Sequence, residues 1–258
     1  MDSHDKTMWF RHELKYRVSE TQAAAIMEYI RPHMRPDAHS ADGVYSLASL
    51  YLDSADLRFC HESLDGTKNR YKLRIRSYSD GPDKPCFFEI KRRINRTIVK
   101  SRARVAQRDV AALLKGTPRS SSRVADDRGN LEQFLYYQRR VGAGPVMRVG
   151  YLRRAFESNL DEYVRVTFDR QLRLNVTYTP TVGLGGAGWY RDPRPGVILE
   201  VKFTGRCPMW LSRMSRVFGL QQKSISKYTI LVRRACELRF QSPTAMRRRS
   251  NGAALVLS

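Results

Sequence analysis

The sequence predicts an α+β protein built on an antiparallel sheet with peripheral helices. Three observations carry this. Apolar and polar residues alternate with period two in segment after segment, helical patterns with recognisable caps interrupt them, and one parity of nearly every alternating segment is charged while the other is apolar.

The alternation predicts strands over 11–18 (RHELKYRV), 48–53, 70–78, 86–93, 96–105, 146–156, 163–174 and 197–204. Helices are predicted over 20–31, where Ser19 followed by Gln22 makes a capping box, and over 107–115, 130–141 and 208–218, the last opened by Pro208 and closed by Gly219. Residues 116–130 and 178–196 read as polar or Gly/Pro-rich loops too short to separate domains. One domain is therefore expected over 1–241, followed by a basic, flexible tail over 242–258 that adds a weak polyanion contact.

Lys and Arg number 47 against 25 Asp and Glu, a formal charge of +22, and 41% of residues are hydrophobic. The chain can bury a core, and its charge calls for a polyanionic partner. No apolar run approaches the ~18 residues of a membrane span, and the first residues have no apolar signal core, so a cytoplasmic protein is expected, with membrane association only through a partner. Cys60, Cys86, Cys207 and Cys236 form no C-x-x-C pair and read as buried free thiols.

Sorting the strands by parity places Glu13, Lys15 and Arg17 on one face, with Lys72, Arg74 and Arg76; Glu89, Lys91 and Arg93; Lys100, Arg102 and Arg104; Arg165, Thr167 and Asp169; and Glu200 with Lys202. A solvated face usually mixes signs, because like charges on adjacent strands repel. This face is basic by roughly three to one, so it needs an anion. Its carboxylates, Glu13, Glu89 and Glu200, are candidates to hold a divalent cation bridging phosphate oxygens. Curling the strands with that face inward gives an antiparallel eight-stranded β-barrel tunnel with a polar basic interior. Nucleic acid fits less well, because the face is nearly free of aromatic residues for base stacking apart from Tyr151. GLGGAG at 183–188 lacks the Gly-Lys-Ser/Thr of a P-loop and reads as an ordinary loop.

Eight short segments in order, R-H-E-L-K-Y at 11–16, Y-L-D-S at 51–54, K-L-R-I-R at 72–76, F-E-I-K at 88–91, G-Y-L-R-R-A-F at 150–156, V-R-V-T-F-D at 164–169, L-E-V-K-F at 199–203 and S-K-Y at 226–228, resemble the triphosphate tunnel metalloenzymes and, within them, the VTC domain. The resemblance covers about residues 8–235. It implies a tunnel that binds the triphosphate of ATP with Mn or Mg and adds the γ-phosphoryl group to inorganic polyphosphate, with triphosphate and pyrophosphate as related ligands. Carried over position by position, it implies phosphate ligands at Lys15, Arg74, Arg76, Lys91, Arg153, Arg165 and Lys227, hydrogen bonds from Tyr151 and Ser226, and a metal carboxylate at Glu200. Lys72 and Lys202 join this set through their parity, and Lys100 and Arg102 are alternative registers of one strand. The first strand reads R-x-E-x-K, with Arg11 where the hydrolase branches of the superfamily carry a Glu, which resembles the polymerase branch. A triphosphatase with the same tunnel, or a non-catalytic polyphosphate-binding module, are the alternative readings.

Overall fold

The computed structural model describes residues 11–37, 43–95, 97–117, 127–159 and 163–240, apart from the side chain of Arg11. In chain order the elements are β1 (Arg11–Val18), α1 (Glu20–Ile30), β2 (Met34–Pro36), β3 (Val44–Asp53), α2 (Arg58–Leu64), β4 (Arg70–Ser77), β5 (Pro85–Ile94), β6 (Thr97–Ala106), α3 (Val110–Leu114), α4 (Arg128–Arg140), β7 (Gly144–Ser158), β8 (Val164–Val176), β9 (Tyr190–Arg191), β10 (Val197–Thr204), α5 (Met209–Val217) and α6 (Lys227–Glu237). The fold is α+β on a large antiparallel sheet. Its hydrogen-bonded path runs β1-β10-β8-β7-β3-β4-β5-β6, with β2 on β7 and β9 on β8. The expected closed barrel is corrected here, because the path ends at β1 and β6 and no described pairing joins them.

The chain falls into two compact units whose segments interleave along the sequence. The first takes residues 1–45, 152–170 and 193–225. In it β1 pairs with β10, which pairs with β8, and the apolar parity, including Tyr16, Val18, Val166, Phe168, Leu199 and Val201, is buried against Ile26 and Ile30 of α1 and Leu211 and Met214 of α5. The predicted caps form in part, since the Gln22 side chain donates to Phe218 O rather than back to Ser19. Ser19 Oγ accepts from Gln22 N at 3.0 Å, and Gly219 ends α5 at a positive φ of 56°.

The second unit takes residues 46–151, 171–192 and 226–258. Its β3-β4-β5-β6 ladder buries Leu50, Leu52, Leu73, Ile75, Phe88, Ile90 and Val105 against Phe59 of α2 and Leu131 and Phe134 of α4. α2 has no sequence signal of its own, since its cap residue, Leu57, is left-handed and offers no side-chain acceptor. Asp53 supplies the cap from upstream, its carboxylate accepting from Phe59 N at 2.9 Å and Cys60 N at 3.0 Å, while Ser54 Oγ accepts from Arg58 N. The thiols are all free, but only Cys60 and Cys86 are buried; Cys207 and Cys236 are exposed, which corrects that expectation. Among the described residues no helix is long and apolar enough to cross a membrane. The tail over 242–258 lies outside the described residues.

Candidate functional site

In the second unit the register arranges the charged parity of β4, β5 and β6 into cross-strand rows. Lys72 faces Lys91, which faces Lys100; Arg74 faces Glu89, which faces Arg102; Arg76 faces Phe87, which faces Arg104. Glu89 is the single carboxylate on this face of the three strands. A row of three lysines at cross-strand spacing costs energy unless an anion lies over it. The register sets Lys100 opposite Lys91 and Arg102 opposite Glu89, both on the basic face.

Glu89 is 1% exposed and organises the cations around it. Its Oε2 lies 2.7 Å from Arg74 Nη2 and 3.9 Å from Arg76 Nε, and its Oε1 lies 2.8 Å from Lys100 Nζ and 3.6 Å from Arg102 Nε. Burial alone would raise the carboxyl's pKa, but Arg74, Arg76 and Lys100 outweigh it and hold the group well below the usual carboxylate range. For Lys100 burial wins over Glu89, and its pKa is lowered. One carboxylate thus fixes four cationic side chains while neutralising a single charge.

The start of α6 adds to this set. Ser226 caps the helix and accepts from Lys72 Nζ at 2.7 Å, and Lys227 Nζ lies 4.8 Å from the centre of the Tyr151 ring, a cation–π contact. The helix is anchored by Tyr228, whose hydroxyl donates to Asp53 Oδ2 at 2.7 Å and whose ring stacks on Tyr51 at 4.5 Å. Tyr51 in turn accepts from Arg74 Nη1 at 3.3 Å. Burial pushes the Asp53 carboxyl up, against the hydrogen bonds it accepts from Tyr228, Phe59, Ser54 and Cys60.

In the first unit, β1 and β10 form a charge-alternating patch in which Glu13 faces Lys202 and Lys15 faces Glu200. Lys15 Nζ lies 2.7 Å from Glu13 Oε1 and 3.7 Å from Glu200 Oε2, and Lys202 Nζ lies 2.5 Å from Glu200 Oε1. Arg165, opposite Lys202, is ion-paired with Asp37 and Glu157 and bonded to Tyr45 Oη. Arg153 makes a bidentate pair with buried Asp169, Nε to Oδ1 at 2.7 Å and Nη2 to Oδ2 at 2.8 Å. Both arginines are oriented by carboxylates of their own unit.

The family resemblance implies a divalent metal, and Mg or Mn would take carboxylate oxygens as ligands. Among the described residues no group of three or more His, Cys, Asp or Glu side chains is disposed to hold a metal ion. A phosphate-bound Mg needs fewer, commonly one or two carboxylates with the remaining positions filled by water and phosphate oxygens. Glu13 and Glu200 meet that condition, standing on one face of adjacent strands and already sharing a cation, Lys15. Glu89 stands among more cations, ion-paired with Arg74 and Lys100.

The parity sort missed the aromatic side chains of the basic face. Tyr51 lies opposite Arg74, Phe87 lies between Arg76 and Arg104, and Tyr78 meets Phe87 edge-on at 5.9 Å. That corrects the expectation of a face with Tyr151 alone. Phe87 was hidden inside the apolar run C-F-F, and Tyr78 is one residue past the end of β4. For Arg11, the ladder pairs its backbone with Thr204, and its side chain lies outside the described residues.

The sequence model of the VTC domain family matches residues 10–235, and the chain belongs to that family. Among curated proteins none matches. Solved structures resembling it include a Bacillus halodurans protein described as a putative adenylate cyclase, at 12% identity and a TM-score of 0.45, covering 83% of this chain and 92% of that one. A Pyrococcus horikoshii protein has 13% identity, a TM-score of 0.44 and coverage of 87% and 99%. A Vibrio parahaemolyticus protein, also described as a putative adenylate cyclase, has 12% identity and a TM-score of 0.42, covering 86% and 98%.

Proposed function

We propose that this protein is a metal-dependent polyphosphate polymerase that transfers the γ-phosphoryl group of ATP to inorganic polyphosphate. The observation that carries the reading is the Lys72–Lys91–Lys100 row beside Arg74 and Arg76, with Glu89 as the only carboxylate of that face. This face suits a ligand that is phosphate along its whole length. The finer fold expectation, a sheet curled into a tunnel, belongs to the same reading.

In this reading the terminal phosphate oxygen of the polyphosphate chain forms a bond to the γ-phosphorus of ATP. The bond from that phosphorus to the β–γ bridging oxygen breaks, and its electron pair leaves on ADP. Arg74, Lys91 and Lys100 neutralise charge on the transferring group, Arg76 and Arg102 lie toward the rest of the nucleotide, and Glu89 holds Arg74, Arg76, Lys100 and Arg102 in place before the ligand arrives. Lys72, Ser226, Lys227 and Tyr151 grip the chain. Lys15, Lys202, Arg153 and Arg165 provide further phosphate contacts. Glu13 and Glu200 would hold Mn or Mg, which when bound supplies additional charge neutralisation at phosphate oxygens.

Incubating the purified chain with ATP and Mn or Mg, then separating long polyphosphate from orthophosphate, tests this. Long chains with stoichiometric ADP support the polymerase. Orthophosphate alone identifies a triphosphatase, and tight polyphosphate binding without turnover in any metal identifies a binding module.

A further inference from the structure

At one end of the basic face of the second unit the chemistry changes. Along β4 one parity reads Lys72, Arg74 and Arg76, and the next residue in that series is Tyr78. At about 3.3 Å per residue, Lys72 to Arg76 spans about 13 Å of strand, with the aromatic group one step beyond. Tyr78 is 38% exposed, its ring packs edge-on to Phe87 at 75°, and the Arg102 guanidinium lies 3.4 Å from the centre of the Phe87 ring. Arg102's side chain is itself 41% exposed. Two aromatic rings and a guanidinium therefore sit directly beside the phosphate-binding cations, partly open to solvent. Planar cationic and aromatic groups are what stack on a nucleobase, and inorganic polyphosphate has no use for them.

We propose that Tyr78, Phe87 and Arg102 form a nucleobase platform, so that a nucleoside triphosphate lies with its base at this end and its phosphates running over Arg76 and Arg74 toward Lys72. The proposal rests on the polymerase reading and deepens it: the platform distinguishes the donor, which carries a base, from the acceptor, which does not. Arg76, opposite Phe87 in the ladder, stands at the junction between the base-binding and phosphate-binding ends.

The test compares ligands that share their phosphates and differ in the base. Affinities of the full chain for inorganic triphosphate and for the non-cleavable β,γ-imido analogue of ATP are measured by calorimetry, in the wild type and in Tyr78→Ala and Phe87→Leu. Each variant is expected to bind the ATP analogue about tenfold more weakly, with triphosphate affinity within about twofold of wild type on the same reasoning. Equal losses for both ligands, or no loss for either, would overturn the platform. An arm that needs no variant uses ribose 5-triphosphate, which should bind the wild type about tenfold more weakly than the ATP analogue; equal affinity also overturns it. Wild-type protein that binds triphosphate but not the ATP analogue removes the platform alone, whereas binding of neither removes the polymerase reading with it.

Discussion

Arg74 and Glu89 face each other across β4 and β5, and both Nε and Nη2 of the guanidinium lie 2.7 Å from the carboxylate Oε2. The pair is the centre of the basic face, because the same carboxylate also orients Arg76, Lys100 and Arg102. Glu89→Gln keeps the shape and leaves those cations uncompensated. It is expected to lower stability by about 2–3 kcal/mol, somewhat below the loss for a wholly buried pair because Lys100 and Arg102 reach solvent. Inorganic triphosphate should restore a larger part of the melting temperature in the variant than it adds to the wild type. Thermal melts with and without ligand check this, and an absence of differential rescue would place the anion elsewhere.

The same residue gives a pH prediction. Its ionisation is pulled down in the folded protein, so its contribution to stability is present above the unfolded value of 4.5 and is lost as pH falls below it. Denaturation midpoints of the wild type should therefore decline more steeply than those of Glu89→Gln between about pH 4.5 and pH 3. Parallel curves would show that the carboxylate's ionisation is not coupled to folding.

On the polymerase reading, Arg74→Ala and Arg76→Ala each remove a charge-assisted contact made to substrate and transition state alike. Polyphosphate affinity and kcat/KM should fall together by about tenfold to a hundredfold. Unchanged affinity in a folded variant would remove that side chain from the binding surface.

Glu200→Gln should behave differently. With the carboxylate gone and Lys15 and Lys202 retained, polyphosphate binding should persist while turnover falls by about a hundredfold or more. Titrating polyphosphate binding alongside the ATP assay separates the two, and equal losses in both would contradict a metal-holding role.

Burial pushes the Cys60 and Cys86 thiols up to about 12, whereas Cys207 and Cys236 are exposed. Native protein should expose two thiols to a disulfide reagent and two more only after unfolding. Four fast-reacting thiols in native protein would refute the burial of Cys60 and Cys86.

The sequence by itself determined the eight longer strands, though not the short β2 and β9, and the two-faced character of the sheet. Alternation at period two is a local property, and residues such as Lys72, Arg74 and Arg76 declare their common face without knowledge of any partner. The caps at Ser19 and Gly219 were legible for the same reason, since each acts within a few residues of itself. What only the tertiary structure decided was register and company. Which of Lys100 and Arg102 stands opposite Lys91 was decided by the pairing of β6 with β5, because a two-residue shift leaves parity unchanged. The ion pairs of Glu89 with Arg74 and Lys100 depend on pairing of the strands, and Tyr78 and Phe87 were invisible as parts of the basic face. The helix α2 was missed because its cap, Asp53, acts from outside the helix and also receives Tyr228 from 175 residues away. Closure of the sheet was the expectation the structure did not bear out: alternation tells which side of a strand faces inward, but whether the first and last strands meet depends on twist and stagger accumulated over every pairing between them.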